Sequence, residues 1–248
     1  MSIKNFKLTI QYDGTCYSGW QIQKEQKTVQ GLLKDCVQKI VKSKNVNLIG
    51  SGRTDSGVHS IGQVVNFKVN TNMESLDFKN AMNANLPYDI RVVDSEIVDD
   101  NFNSRFCAKK REYLYKIKKS LSPFDYKYYH LSKYNTDIGL LNQCAEIILK
   151  NNNFSNFCKH SPDIDNYFCT INYSFWEFDL DGSVLQYRVR ANRFLHHMVR
   201  MLVGTMLEVY KSSITIEDFR EMFNDGAERK RIVTAPSKGL YLFKVYYE

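Results

Sequence analysis

Apolar and polar residues alternate at the start of the chain, with Phe6, Leu8, Ile10 and Tyr12 set against Lys7, Thr9 and Gln11. A period of two predicts a strand with one buried face, stopped by the turn pair Asp13-Gly14. The spacing then becomes helical. Val29, Leu32, Leu33, Cys36, Val37, Ile40 and Val41 recur on one face behind Thr28, a residue suited to cap a helix. A short strand is predicted at Val46 to Ile49, a second around Val65, Phe67 and Val69, a weaker helix from about Met73 to Ala84, and a strand from Ile90 to Ile97. The order is β-α-β-β-α-β.

The second half repeats this order with one addition. Tyr113, Tyr115 and Ile117 mark a strand; Leu141, Cys144, Ala145, Ile148 and Leu149 mark a helix. Strands at about Phe168–Asp179 and Val184–Arg190 flank the turn pair Asp181-Gly182. A long helix follows through Leu195, Met198, Val199, Leu202, Met206 and Val209, then a shorter one near Ile216–Phe223, and a closing strand from Tyr241 to Tyr247. The pattern predicts an α+β chain of two ferredoxin-like (βαββαβ) halves, residues 1–103 and 104–248. Their strands are expected to form one continuous, mostly antiparallel sheet with helices on one face and a cleft on the helix-free face. The stretch from Val98 to Lys110 is short and low in Gly and Pro, so the halves are expected to act as one unit.

Composition narrows the function classes. The chain has 248 residues, with 43% hydrophobic and 25% charged, as in ordinary globular proteins. A net charge of +7 favours a polyanionic partner. The six cysteines form no C-x-x-C pair and no zinc-finger spacing, which fits reduced thiols. No charged-then-apolar leader precedes the first strand and no window approaches 18 uninterrupted apolar residues. A cytoplasmic protein with no membrane partner is expected. Asp13-Gly14-Thr15 after a strand imitates an aspartyl-phosphate motif, but Gln11 stands at the nucleophile position and excludes that chemistry. No Walker-type or dinucleotide-binding glycine pattern is present.

Three clusters can carry chemistry. Gly50 to His59 places three glycines, Arg53, Asp55 and His59 on one predicted loop between strands. Such a loop can simply turn, with Asp55 bonding its own backbone. A positioned carboxylate near an arginine can instead act as nucleophile or general base. The run Lys109, Lys110, Arg111, Glu112, Tyr113 sets tyrosines beside cations, a combination that suits base stacking with charge on phosphates. In the third cluster Arg188 and Arg190 share a strand face, and Arg193, His197 and Arg200 are spaced as one stripe of the following helix. Adjacent His196 and His197 make a poor metal pair on a helix. Arg229-Lys230-Arg231 is a further basic run.

In order along the chain, Tyr12-Asp13-Gly14-Thr15, Gly19-Trp20-Gln21, Thr28-Val29-Gln30, Gly52-Arg53-Thr54-Asp55-Ser56-Gly57-Val58-His59, Asn83 to Pro87, Asp89-Ile90, Ser104-Arg105-Phe106, Arg111 to Tyr115, Phe194 to Arg200 and Gly239 to Leu242 resemble the bacterial tRNA pseudouridine synthase A family nearly end to end. The resemblance implies the pseudouridine synthase fold and an isomerase that turns uridine into pseudouridine, typically at tRNA positions 38–40. It implies no cofactor and no metal, tRNA as partner, and a homodimer with a basic RNA cleft. Asp55 would be the nucleophile and Tyr113 would stack on the uracil and is a candidate for removing the C5 proton. Arg53 and Arg200 would hold the flipped nucleotide and pair with the aspartate, and Leu240 would wall the uracil pocket. Lys109, Lys110, Arg111, Arg188, Arg190, Arg193 and His197 are the expected RNA contacts. Asn151 to Phe157 and Met201 depart from the family pattern. Another tRNA position, ribosomal RNA, or a non-catalytic RNA-binding role stay open at this level.

Overall fold

The computed structural model describes residues 2–133, 138–161, 166–226 and 232–248; the run Arg229-Lys230-Arg231 lies outside them. The elements in chain order are β1 (Ser2–Tyr12), α1 (Val29–Val41), β2 (Ile49–Gly50), β3 (His59–Thr71), α2 (Ser75–Asn85) and β4 (Ile90–Val98), followed by β5 (Lys110–Lys118), β6 (His130–Leu131), α3 (Gly139–Lys150), β7 (Ile171–Phe178), β8 (Leu185–Ala191), α4 (Met198–Tyr210), α5 (Ile216–Glu221) and β9 (Leu240–Tyr246). The chain divides into two compact units, Met1–Lys109 with Tyr241–Glu248, and Lys110–Leu240. The first unit thus runs past the expected division at 103/104 to Lys109 and takes back the last strand.

In the first unit the ladder runs β4-β1-β3-β9. β1 lies antiparallel between β3 and β4, while β3 and β9 pair in parallel at His59↔Tyr241 and Ser60↔Leu242. Phe6, Leu8 and Ile10 of β1, Val65, Phe67 and Val69 of β3, and Ile90 and Val92 of β4 form one apolar face. Val29, Leu33 and Val37 of α1 and Phe78 and Met82 of α2 close over it. Thr28 caps α1 as expected, its hydroxyl accepting from Gly31 N. The opposite face carries a polar clasp. Asn5 Nδ2 donates to the carbonyls of Asp99 and Phe102, Asn66 Nδ2 donates to Asn5 Oδ1 and to Phe102 O, and Ser104 N donates to Asn66 Oδ1. These partners satisfy two asparagines that are almost fully buried, a state that would otherwise be costly.

In the second unit the ladder runs β5-β8-β7, antiparallel throughout. Tyr115, Tyr187 and Trp176 are aligned across it and fully buried. Trp176 Nε1 lies 3.3 Å from Met206 Sδ of α4, and Asn142 of α3 bonds both the N–H and the carbonyl of Trp176. The helices therefore cover the face that bears these aromatics. Gly182, at φ +72°, makes the expected turn between β7 and β8. Helix α4 begins at Met198, later than the apolar spacing from Leu195 predicts. The chain still makes strand-like and turn bonds before that point: Asn192 N donates to Thr170 O, and Lys159 N donates to His196 O.

Candidate active site

Asp55 sits in the loop between β2 and β3, half-buried, and its carbonyl accepts from Val58 N at 3.2 Å. Gly57 occupies the third position of this turn at φ +76°, where a type II turn demands glycine. The Asp55 main chain therefore closes a β-turn through its own carbonyl, a different bond from the side-chain bond of an Asx turn. What the sequence does not announce is how firmly the loop is held. Residues 13–20, directly after β1, run along it as a strap. Trp20 N donates to Thr54 O at 3.0 Å, and Gly57 N and Ser56 Oγ both donate to Tyr17 O. Gly19, at φ +85°, lies so close that a Cβ there would stand 2.7 Å from Thr54 O.

Beneath the loop, the Tyr12 hydroxyl and Thr54 Oγ1 are 2.9 Å apart, and burial pushes the Tyr12 phenol well above its ordinary range. β1 has register shifts between Thr9 and Tyr12, and such bulges commonly re-aim side chains beside functional sites. Gln63 of β3 fastens the near end: Ser51 Oγ donates to its Oε1 at 2.7 Å, and its Nε2 donates to Gly52 O at 2.9 Å. At the far end buried His59 Nδ1 accepts from Gly14 N at 3.1 Å, and its ring stacks on Tyr241 with centroids 4.8 Å apart. The Asp13 carboxylate lies 3.2 Å from the same nitrogen. With Nδ1 accepting from the backbone, that approach becomes an ion pair only when the ring is protonated at Nδ1. Arg53 is exposed on this loop.

The second unit gathers three further expected residues. Tyr113 is nearly buried and meets the Phe194 ring edge-on at 5.0 Å. Arg200, in the first turn of α4, donates from Nε to Ala235 O at 2.8 Å, while its own carbonyl accepts from Ala235 N. The same segment holds Tyr115, whose hydroxyl donates to Pro236 O at 2.9 Å. Burial raises the Tyr115 phenol, and the nearby Arg200 charge opposes that rise. Leu240, buried, follows directly where β9 begins. The residues around Ala235 and Pro236 were missed at the sequence level. Their only signal is a proline and a glycine before the last strand. His130 Nδ1 lies 3.1 Å from the Tyr115 oxygen; burial, aided by Lys211 and Lys238, lowers the imidazole to about 4 and keeps it neutral.

The expected RNA contacts fare unevenly. Strand parity puts Tyr113 with Tyr115 on the helix-covered face, not on the helix-free face expected of the cleft. Arg188 and Arg190 take the opposite face, opposite Leu114 and Glu112 in the ladder. Arg188 Nη1 bonds buried Glu112 at 2.8 Å, and Arg190 Nη1 stands 3.8 Å from the same carboxylate. Arg193, His197 and Arg200 do not form a helical stripe. Arg193 precedes α4 and is exposed, with Nη2 3.4 Å from Asn166 O; His197 is the α4 cap residue at φ +65°. Lys109 is exposed, Lys110 half-buried, and Arg111 Nη1 donates to Asn192 O.

The description "tRNA pseudouridine synthase" belongs to the family model that matches residues 8–107 and 151–248. The chain is 36% identical to the tRNA pseudouridine synthase A of Brachyspira hyodysenteriae over 99% of both chains. It is 35% identical to that of Bacillus subtilis over 98% of both chains. With the protein of the same name from Thermodesulfovibrio yellowstonii the identity is 34%, over 98% of this chain and 99% of the relative. The matched residues include the Asp55 loop, Arg200 and the final strand, and the chain belongs to the tRNA pseudouridine synthase family.

Proposed function

We propose that Asp55 is the nucleophile with which this pseudouridine synthase isomerises uridine in tRNA, at positions 38–40 of the anticodon stem-loop. The observation that carries the reading is the bracing of the Asp55 loop from three sides, by the strap, by Tyr12 and by Gln63. Nucleophiles need such preorganisation, whereas an ordinary surface turn does not. The target base must first leave its stack. In one route an Asp55 oxygen bonds C1′ as the N1–C1′ bond breaks and uracil departs as an anion. There the C5 of the rotated uracil bonds C1′ as the Asp55–C1′ ester bond breaks. In the other, Asp55 takes the C2′ proton as the N1–C1′ bond breaks and a glycal forms; after uracil rotates, C5 bonds C1′ and Asp55 returns the proton to C2′. Both end with loss of the C5 proton, with Tyr113 as the candidate acceptor, and gain of a proton at N1. Both routes conserve composition and oxidation state.

Arg53 and Arg200 are assigned to the flipped nucleotide and the aspartate, and Leu240 to the uracil pocket, on the family resemblance. The same resemblance supports a homodimer, tested by mass in solution, acting in the cytoplasm; the thiols of Cys16, Cys36, Cys107, Cys144 and Cys169 fit that compartment. Among the described residues no helix is long and apolar enough to cross a membrane. The test is incubation with unmodified tRNA transcripts and site-resolved pseudouridine detection. The wild-type protein is expected to convert uridines 38–40, and Asp55→Asn to bind RNA while losing product formation by a factor of order 10³ or more. Product at the wild-type rate from Asp55→Asn would remove Asp55 from the chemistry. Product in unmodified ribosomal RNA transcripts incubated in parallel, with none in tRNA, would replace the substrate, and binding without product from the wild type would leave an RNA-binding module.

A further inference from the structure

Tyr88 is 97% exposed in the turn between α2 and β4. A single exposed aromatic is unremarkable by itself, but this one is backed and placed. The Arg91 guanidinium lies against its ring, 4.9 Å from the centroid. That guanidinium is held in turn: Nη1 is 2.7 Å from both Pro87 O and Ile90 O. One ring face is thus occupied by a cation fixed to the backbone, an arrangement that limits how far the ring can swing.

The turn is tied to the Asp55 loop through the strap. Asp13 N donates to Asp89 O at 2.9 Å, and the Tyr17 hydroxyl donates to Asp89 Oδ1 at 2.7 Å. Tyr17 is the residue whose carbonyl accepts from Ser56 and Gly57. Strand register gives the same neighbourhood independently. Tyr12 of β1 pairs with Ser60 of β3 on one side and Ile90 of β4 on the other. The turn before β4 and the loop before β3 therefore emerge at the same end of the sheet, about two strand spacings, or ~10 Å, apart. Exposed Arg53 lies on the same loop, and exposed Lys27 reaches the strap with its ammonium 4.7 Å from the Tyr17 ring.

We infer that Tyr88 is a stacking platform for an unpaired base of the RNA close to the target uridine, backed by the Arg91 cation. A flipped uridine leaves its neighbours short of a stacking partner, and an aromatic face accepts any base. The inference rests on the uridine-isomerising reading above, and the experiment separates the two. Binding of unmodified anticodon stem-loop RNA is measured for wild type, Tyr88→Ala and Tyr88→Trp, alongside pseudouridine formation. Tyr88→Ala is expected to weaken binding about 5- to 30-fold, with the loss appearing in KM more than in kcat, and Tyr88→Trp to restore it. RNA made abasic at one neighbour of the target should bind wild type and Tyr88→Ala alike, because the stacked base is then missing. Equal affinity of Tyr88→Ala and wild type for intact RNA overturns the inference. A changed mass in solution with unchanged RNA affinity also overturns it, by assigning the ring to a protein contact. Failure of the wild type to form pseudouridine, with the affinity loss still present, would sink the catalytic reading and leave the platform standing.

Discussion

A methyl group on Gly19 would meet the carbonyl oxygen of Thr54 at 2.7 Å, at a backbone φ of +85° that side chains disfavour. Gly19→Ala is therefore expected to cost about 1–3 kcal/mol, since it adds left-handed backbone strain to a clash with main chain that cannot rotate away. The strap would have to lift, so turnover should fall at least about tenfold even where the protein remains folded. Urea unfolding and initial rates of pseudouridine formation read the two effects, and a variant equal to wild type in both would show that the strap does not position Asp55. This is the scale at which sequence reading stopped short. The turn-forming character of Asp13-Gly14 and the cluster around Asp55 were legible, because both are local. The Thr54 contacts with Tyr12, Gly19 and Trp20 were not, because they join segments separated in the chain and no periodicity encodes them.

Strand parity was legible element by element: alternation separates Glu112, Leu114 and Lys116 from Tyr113, Tyr115 and Ile117. What each face meets depends on the neighbouring strand, and the basic residues of β8 turned out to lie across from Glu112 and Leu114. Helix α4 shows the complementary error. Leu195 is buried like a helical residue but sits in the turn before the helix, so apolar spacing alone overran the start and made a stripe of Arg193, His197 and Arg200. The Arg188 and Glu112 pair tests this revised view. Glu112 has a side chain only 4% exposed, while that of Arg188 is 28% exposed. Arg188→Gln strips most of the compensation from a buried carboxylate, with Arg190 still nearby. The expected cost is about 1–3 kcal/mol, below the range for a fully buried pair because solvent reaches the arginine. RNA affinity should change less than about twofold. A fall in affinity with unchanged urea midpoint would restore Arg188 to the RNA contacts.

At the level of the whole molecule, the chain leaves its first unit at Lys109, builds the second, and returns for the final eight residues. The alternation from Tyr241 onward announced a strand, but a period of two carries no information about its partner or direction. Within the first unit the strand pairs with β3, in parallel, just where the Asp55 loop ends. Ser60 Oγ donates to Leu242 O, the Tyr247 hydroxyl donates to Ser104 O, and the Tyr241 ring stacks on His59. Removing Tyr241–Glu248 should therefore damage the unit that holds Asp55, although the deleted residues are the most distant from it in sequence. Leu242 is fully buried and Val245 nearly so. Losing both forfeits roughly 4 kcal/mol of apolar burial before any hydrogen bond is counted, a large part of the 5–15 kcal/mol margin typical of a folded domain. A chain ending at residue 240 is expected to unfold at markedly lower urea and to form no pseudouridine. Leu242→Ala supplies the graded version, with an expected cost of about 2–5 kcal/mol and partial activity under conditions where it stays folded. If both variants keep the wild-type midpoint and rate, β9 is dispensable to the first unit, and the strap, Tyr12 and Gln63 hold the Asp55 loop without it.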